Sequence, residues 1–193
     1  MKSVEPSEAT LAALDAAVGR EIKTVLVPDG YWHEYRAKLQ GYDPCQLRIA
    51  FSDGVCLEVG AEVRQPVNHP WCEVPVVAVS LFSPDQPALA SANSARISWQ
   101  PSPPLTQMTT AKRLLGYASF GEEVTHWCGS DNPVRAPLGL RLQLGAVHLD
   151  LVVDPSVVSI GCVAVGSPDL AVYNTQPTGE RNWLSKSYQG RKR

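Results

Sequence analysis

Two short stretches that alternate apolar and polar residues on either side of a tight turn constrain the fold of this chain more than any other feature. Residues 47–59 read LRIAFSDGVCLEV and residues 140–151 read LRLQLGAVHLDL. A period of two marks a strand with one face buried. The first stretch breaks at Ser52-Asp53-Gly54, and a three-residue loop with glycine last suits a type I turn plus a glycine bulge. The second breaks at Gly145-Ala146, a two-residue loop opening with glycine that suits a type II′ turn.

Loop length sets strand register. In the first hairpin Phe51 should face Val55, Ile49 face Leu57 and Leu47 face Val59. In the second, Leu144 should face Val147, Leu142 face Leu149 and Leu140 face Leu151. The opposite faces then carry Arg48 across from Glu58 and Arg141 across from Asp150. These read as exposed cross-strand ion pairs, contributing about 0.2–1 kcal/mol each.

The same pair at the same place in both hairpins points to an internal repeat, and flanking segments extend the match. Residues 19–25 (GREIKTV) resemble residues 121–127 (GEEVTHW), with glycine, acid and β-branched residue in step. Downstream, Val77-Ala78-Val79 followed by Ser83-Pro84-Asp85 resembles Val163-Ala164-Val165 followed by Ser167-Pro168-Asp169. The expected fold is α+β: two diverged pseudo-repeats, each a helix plus antiparallel strands including a β-hairpin. The first unit spans 1–97, a proline-rich connection 98–108, the second unit 109–180 and a basic tail 181–193.

Each unit should open on a helix. Ser7 is a candidate N-cap, Leu11, Leu14 and Val18 follow helical spacing, and Gly19 supplies the stop. The second helix should be capped by Thr109 or Thr110 and run to Leu115, before Gly116. Residues 98–104, SWQPSPP, hold three prolines and read as irregular. The segment 28–44, PDGYWHEYRAKLQGYDP, has no counterpart of its length in the second unit. Tyr31, Trp32, Tyr35 and Leu39 would form one side of a short helix there, either as a lid on the sheet or as an aromatic partner-binding surface.

Composition narrows the function classes. Residues 1–179 hold 18 acidic and 12 basic side chains, a balance of −6, whereas 180–193 hold one acid and five bases, +4. An acidic body argues against a nucleic-acid partner, and the GRKR end reads as a solvated tail, dispensable for folding from Ser187 on. No apolar run approaches the roughly 18 residues of a membrane span, and MKSVEPSEAT has charges and a proline where a secretory leader is apolar. The expected location is the cytoplasm. Five cysteines (45, 56, 72, 128 and 162), odd in number and widely spaced, read as free thiols.

No catalytic constellation, metal set or cofactor loop emerges. His126 and Cys128 would share a strand face with Asp131 nearby, but Gly-Ser-Asp-Asn-Pro is ordinary turn chemistry. His69 and Cys72 lack the tight ligand spacing of a zinc site, and His33 and His148 lack ligand-like neighbours, His148 reading as solvated on the hairpin's polar face. There is no GxGxxG, GxxxxGK[ST] or GxSxG.

The succession Gly19, Arg20, Ile22, Val25 and then Leu47, Ile49, Phe51, Asp53, Gly54, Leu57, Val59 resembles small bacterial immunity-type proteins, which are encoded beside polymorphic toxins and neutralise them by binding. That resemblance implies a non-catalytic protein-binding module whose partner is a cognate toxin domain, with Tyr31, Trp32 and Tyr35 as candidate partner-binding residues. The alternative is a small enzyme or ligand-binding protein using a cleft between the units, near His126 and Cys128 and lined by Trp71, Trp99 and Trp127.

Overall fold

The computed structural model describes residues 2–4, 6–28, 34–35, 41–42, 46–65, 74–83, 98–124, 134–144, 147–154 and 159–165. They form an α+β fold of two sheets around one core. The chain order is β1 (Lys2–Ser3), α1 (Glu8–Ala17), β2 (Ile22–Pro28), β3 (Glu34–Tyr35), β4 (Gly41–Tyr42), β5 (Leu47–Phe51), β6 (Cys56–Arg64) and β7 (Val74–Phe82), then β8 (Trp99–Pro101), α2 (Pro103–Thr109), β9 (Gly116–Val124), β10 (Val134–Leu144), β11 (Val147–Asp154) and β12 (Ser159–Val165).

The first sheet runs β7-β6-β5-β2-β8, antiparallel throughout. The second runs β9-β10-β11-β12-β4-β3. Because β9 occupies one edge of β10 at Val134 and Arg135, β1 lies parallel on the other edge, which β11 takes further along. Both hairpins have the register expected from their loops: Leu47↔Val59, Arg48↔Glu58 and Ile49↔Leu57 in one, Leu140↔Leu151, Arg141↔Asp150 and Leu144↔Val147 in the other. Phe51 N–H donates to Val55 C=O at 2.8 Å, closing the first turn, in which Gly54 has φ +87°.

Alternation puts Leu47, Ile49, Phe51, Leu57 and Val59 of the first sheet into the same apolar cluster as Leu140, Leu142, Leu144, Leu149 and Leu151 of the second. Helix α1 is capped by Ser7, whose Oγ accepts the Thr10 N–H at 3.0 Å, and buries Thr10, Ala13, Leu14 and Ala17 against that cluster. Thr10 also covers the edge of β7, since its Oγ1 accepts the buried Val79 N–H at 3.2 Å. At that position the edge has no free N–H to offer a foreign strand.

Several local expectations need correction. The second helix ends at Thr109 rather than beginning there, and SWQPSPP is regular, supplying β8 and the first turn of α2. The boundary between connection and second unit at 108/109 therefore cuts through the end of α2. Proline is compatible with each position for a physical reason. Pro103 and Pro104 occupy the first helical positions, where a backbone N–H has no intrahelical acceptor. Pro101 closes an edge strand, where its missing N–H faces away from β2. The expected short helix between 31 and 41 is replaced, at its described residues, by a small β3–β4 pairing, and β4 joins β12 through Tyr42↔Cys162 and Gly41↔Val163.

The outer sequence matches were out of register. Val25 lies opposite Ile49 and Tyr117 opposite Leu142, so it is Val25 and Tyr117, 92 apart, that stand at like places beside their hairpins, and not Gly19 and Gly121. Likewise Val79 faces Val59 and Cys162 faces Leu151, so Val79 corresponds to Cys162 rather than Val165. Runs of Val and Ala slide past one another without changing their pattern, whereas hydrogen-bonded pairing does not slide.

The order α1-β2-β5-β6-β7 and the order α2-β9-β10-β11-β12 are each a helix followed by a four-stranded meander. Both helices end alike. Val18 and Thr110 are extended C-caps (φ −60°, ψ 135° and φ −55°, ψ 139°), followed by left-handed Gly19 (φ +88°) and Ala111 (φ +61°). These two junctions then bond to each other. Gly19 N–H donates to Leu114 C=O at 2.7 Å and Leu114 N–H to Arg20 C=O at 3.0 Å. Adding 92 to the first segment's numbers and subtracting 92 from the second's turns those bonds into another observed pair: Ala111 N–H to Ile22 C=O at 2.9 Å and Ile22 N–H to Lys112 C=O at 2.8 Å. Glu21 and Arg113, also 92 apart, form the antiparallel bridge at the centre.

Candidate functional site

With one face of β5 and β6 in the core, the other face carries Arg48 and Ala50 on β5, with Gln46 just before it, and Cys56, Glu58 and Gly60 on β6. Neighbouring strands extend this outer face with Leu26 opposite Arg48, Ser80 opposite Glu58, Phe82 opposite Cys56, and Trp99 on β8. Arg48 Nε donates to Glu58 Oε2 at 2.7 Å. The guanidinium carbon is 3.9 Å from the Trp99 ring centroid and 5.0 Å from that of Phe82. Rings from β7 and β8, on opposite sides of β5, thus bracket one cation.

This pair was expected to be an exposed ion pair, and it is not. The Arg48 and Glu58 side chains are only 16% and 12% exposed. Aromatic residues distant in sequence exclude water that would otherwise screen the charges, so salt weakens this pair less than a surface pair. A planar guanidinium suits this position because it stacks and hydrogen-bonds at once, which an ammonium cannot do.

Two polar atoms on or beside this face are buried without a hydrogen-bond partner: Trp99 Nε1 and Gln46 Oε1. A buried donor or acceptor left unmet costs about 1–3 kcal/mol.

Cys56, a free thiol, stands on the same face, half-buried. Burial pushes its pKa up; Arg48 opposes this, while Asp53 and Glu58 add to it. The thiol is accordingly a poor nucleophile near neutrality. Since its folded pKa exceeds the unfolded one, the folded state holds the proton more firmly. Its contribution to stability is complete below the unfolded pKa and is lost as pH rises through the folded one. Alkylation of native protein at Cys56 should therefore be slower than that of a free thiol at pH 8, with its pH–rate curve displaced upward. A rate equal to free cysteine would contradict the burial.

Arg20 and Asp53, far apart in sequence, meet at the end of α1. Arg20 forms an ion pair with Asp53 in the β5–β6 turn and donates from Nε to Ala16 C=O at 2.9 Å, tying the end of α1 to that turn. Asp53 also accepts the Val55 N–H at 3.2 Å. This clasp is scaffold chemistry, on an exposed rim. Of the candidate partner-binding residues, Tyr35 belongs to β3, while Tyr31 and Trp32 lie outside the described residues. So do His33, His69, Trp71, Cys72, His126, Trp127, Cys128 and Asp131. Trp99, expected in a cleft between the units, instead covers Arg48 on the face turned away from the core. His148 is half-buried rather than solvated.

Between α1 and the second sheet there is a crevice of about 10 Å³, lined by Thr10, Leu14, Val77, Tyr117, Ser119 and Leu140. It has room for one water and no more. Tyr117 spans it to donate to Asp15 Oδ1 at 2.7 Å. Among the described residues no three His, Cys, Asp or Glu side chains are grouped as a metal site would need, and no helix is long and apolar enough to cross a membrane. No protein-family model matches this chain, and comparison with curated proteins and with solved structures found no match.

Proposed function

We propose that this protein acts by binding another protein, with the outer face of the first sheet as the contact surface and a bacterial toxin domain as the partner. The observation that carries this reading is the bracketed Arg48 beside the unmet Trp99 Nε1 and Gln46 Oε1. Tryptophan and arginine dominate binding energy where they stand rigid and desolvated before the partner arrives. Here the stack, the Glu58 bond and the sheet beneath already hold them. The acidic body favours encounter with a basic toxin domain, and the immunity-type pattern supplies the partner class.

The same reading takes the chain as a duplicated helix–meander unit closed on itself about a local two-fold. Its support is the pair of exchanged backbone bonds 92 residues apart, the matching left-handed residues Gly19 and Ala111, and the common strand order. Functional divergence would then explain why one copy carries the β3–β4 insertion and the other, among the described residues, does not.

Co-expression tests the function. Cells arrested by the product of the gene adjacent to this one should resume growth when this protein is made with it. Arrest that persists despite equal levels of folded protein would remove the toxin-neutralising role.

A further inference from the structure

The turn between β5 and β6 carries a reactive pair that its own geometry demands. Gly54 has φ +87°, a conformation strained for a residue with a Cβ, so the turn needs glycine there. Asp53 precedes it, and its Oδ1 accepts the Val55 N–H at 3.2 Å, the two-residue step that suits aspartate to a turn. Asp-Gly therefore fits the turn, and it is also a pair that can attack itself. A glycine has no side chain to shield its backbone nitrogen from the preceding carboxyl. That nitrogen can add to Asp53 Cγ: a C–N bond forms, the carboxyl OH leaves as water with the amide hydrogen, and a succinimide ring closes. Water then opens the ring at either carbonyl. Opening at the backbone carbonyl routes the main chain through Cβ and Cγ, giving isoaspartate of unchanged mass.

Ring closure has to free three contacts. The Gly54 N–H donates to Phe51 C=O at 3.1 Å, Asp53 Oδ1 is held by the Val55 N–H, and Oδ2 is paired with Arg20 Nη1. Arg20 is itself anchored, since its Nε donates to Ala16 C=O at 2.9 Å. Beside Asp53, the Ser52 N–H donates to Glu21 C=O at 2.9 Å and Ser52 Oγ to Glu21 Oε1 at 3.3 Å. Residues 20 and 21 thus grip residues 52 and 53 by backbone and side chain alike. The Arg20 and Asp53 side chains are 29% and 49% exposed, and an ion pair so open to water adds little to stability. Its place on the reactive carboxyl points to a second role.

We propose that Asp53-Gly54 is a site of spontaneous isoaspartate formation, and that Arg20 holds it in check as a positioning residue that keeps the carboxyl from swinging onto the Gly54 nitrogen. Conversion adds a carbon to the backbone of a turn closed by the Phe51 N–H on Val55 C=O at 2.8 Å. It also takes the free carboxylate off the side chain that presents it to Arg20. The turn and its tie to α1 are then lost together.

Three samples test this near neutral pH and at body temperature: the folded parent, folded Arg20→Ala, and the parent unfolded in guanidinium chloride. Isoaspartate is followed over time by tryptic mapping, with circular dichroism establishing that the variant is folded. Peptide 49–64 reports Asp53, and peptide 24–36 reports Asp29-Gly30, the chain's other Asp-Gly pair, which lies outside the described residues. At Asp53 the folded parent should convert more slowly than the unfolded chain. Arg20→Ala should raise the folded rate there by about threefold or more, the factor released when one ion pair is lost, and leave the rate at Asp29 unchanged. Salt gives the same test without a substitution, because screening an exposed pair should speed conversion at Asp53 relative to Asp29 in the parent. Equal Asp53 rates in the parent and Arg20→Ala overturn the proposal, as does an Asp53 rate indifferent to salt. A folded parent that converts as fast as the unfolded chain overturns it too. So does a rise at both sites alike, because the substitution has then loosened the chain as a whole.

Discussion

Replacing Leu57 by Ala, or Leu149 by Ala, is expected to destabilise the protein by about 2–5 kcal/mol in either case, and each variant should still unfold in one transition. Both side chains are completely buried, and each lies opposite a core residue of its own hairpin, Ile49 or Leu142. The two hairpins contribute to a single apolar cluster, so a cavity under one sheet loosens the packing of the other. The junctions at 19–22 and 111–114 add backbone bonds across the same boundary. Such a loss is a large fraction of a typical folding free energy of roughly 5–15 kcal/mol. Far-UV circular dichroism and tryptophan fluorescence should therefore report the same midpoint in urea. Separate midpoints, or a loss below about 1 kcal/mol, would mean that the sheets are packed independently.

How much of this was legible in the sequence depends on how local the determining physics is. The hairpins were legible because turn length fixes register, and α1 because Ser7 and Gly19 mark its ends. The start of α2 was hidden by its own best signal: Pro103 and Pro104 read as breakers, although proline is favoured at a helix start. Aromatic spacing between Tyr31 and Leu39 fits a helix equally well, and nothing local announces that Tyr42 will pair with Cys162. The bridge between Glu21 and Arg113 and the bonds around it are made by backbone atoms, which leave little trace in side-chain identity. The candidate site was half visible. Arg48 opposite Glu58 follows from register, but its enclosure depends on Trp99, which reaches it from across the sheet.

Trp99→Ala is expected to have the largest effect on binding while leaving the fold in place. The indole contributes a ring to the Arg48 stack and an unmet N–H, and Arg48 retains both its Glu58 bond and Phe82 when the indole is removed. Truncating an aromatic anchor of this kind costs about 2 kcal/mol or more of affinity, a weakening of roughly 30-fold. Circular dichroism should be unchanged, which separates lost contact from lost structure. Tyr35→Ala provides the comparison on β3: a similar loss of affinity would extend the contact surface to the aromatic insertion, and a loss of stability alone would make it packing.

The most direct measurement is calorimetric titration of the intact protein with the purified product of the adjacent gene, made in parallel for the parent chain and Trp99→Ala. The account expects a saturable one-to-one complex for the parent and a dissociation constant roughly 30-fold weaker for the folded variant. No complex with the parent, or identical affinities for the two, would contradict it.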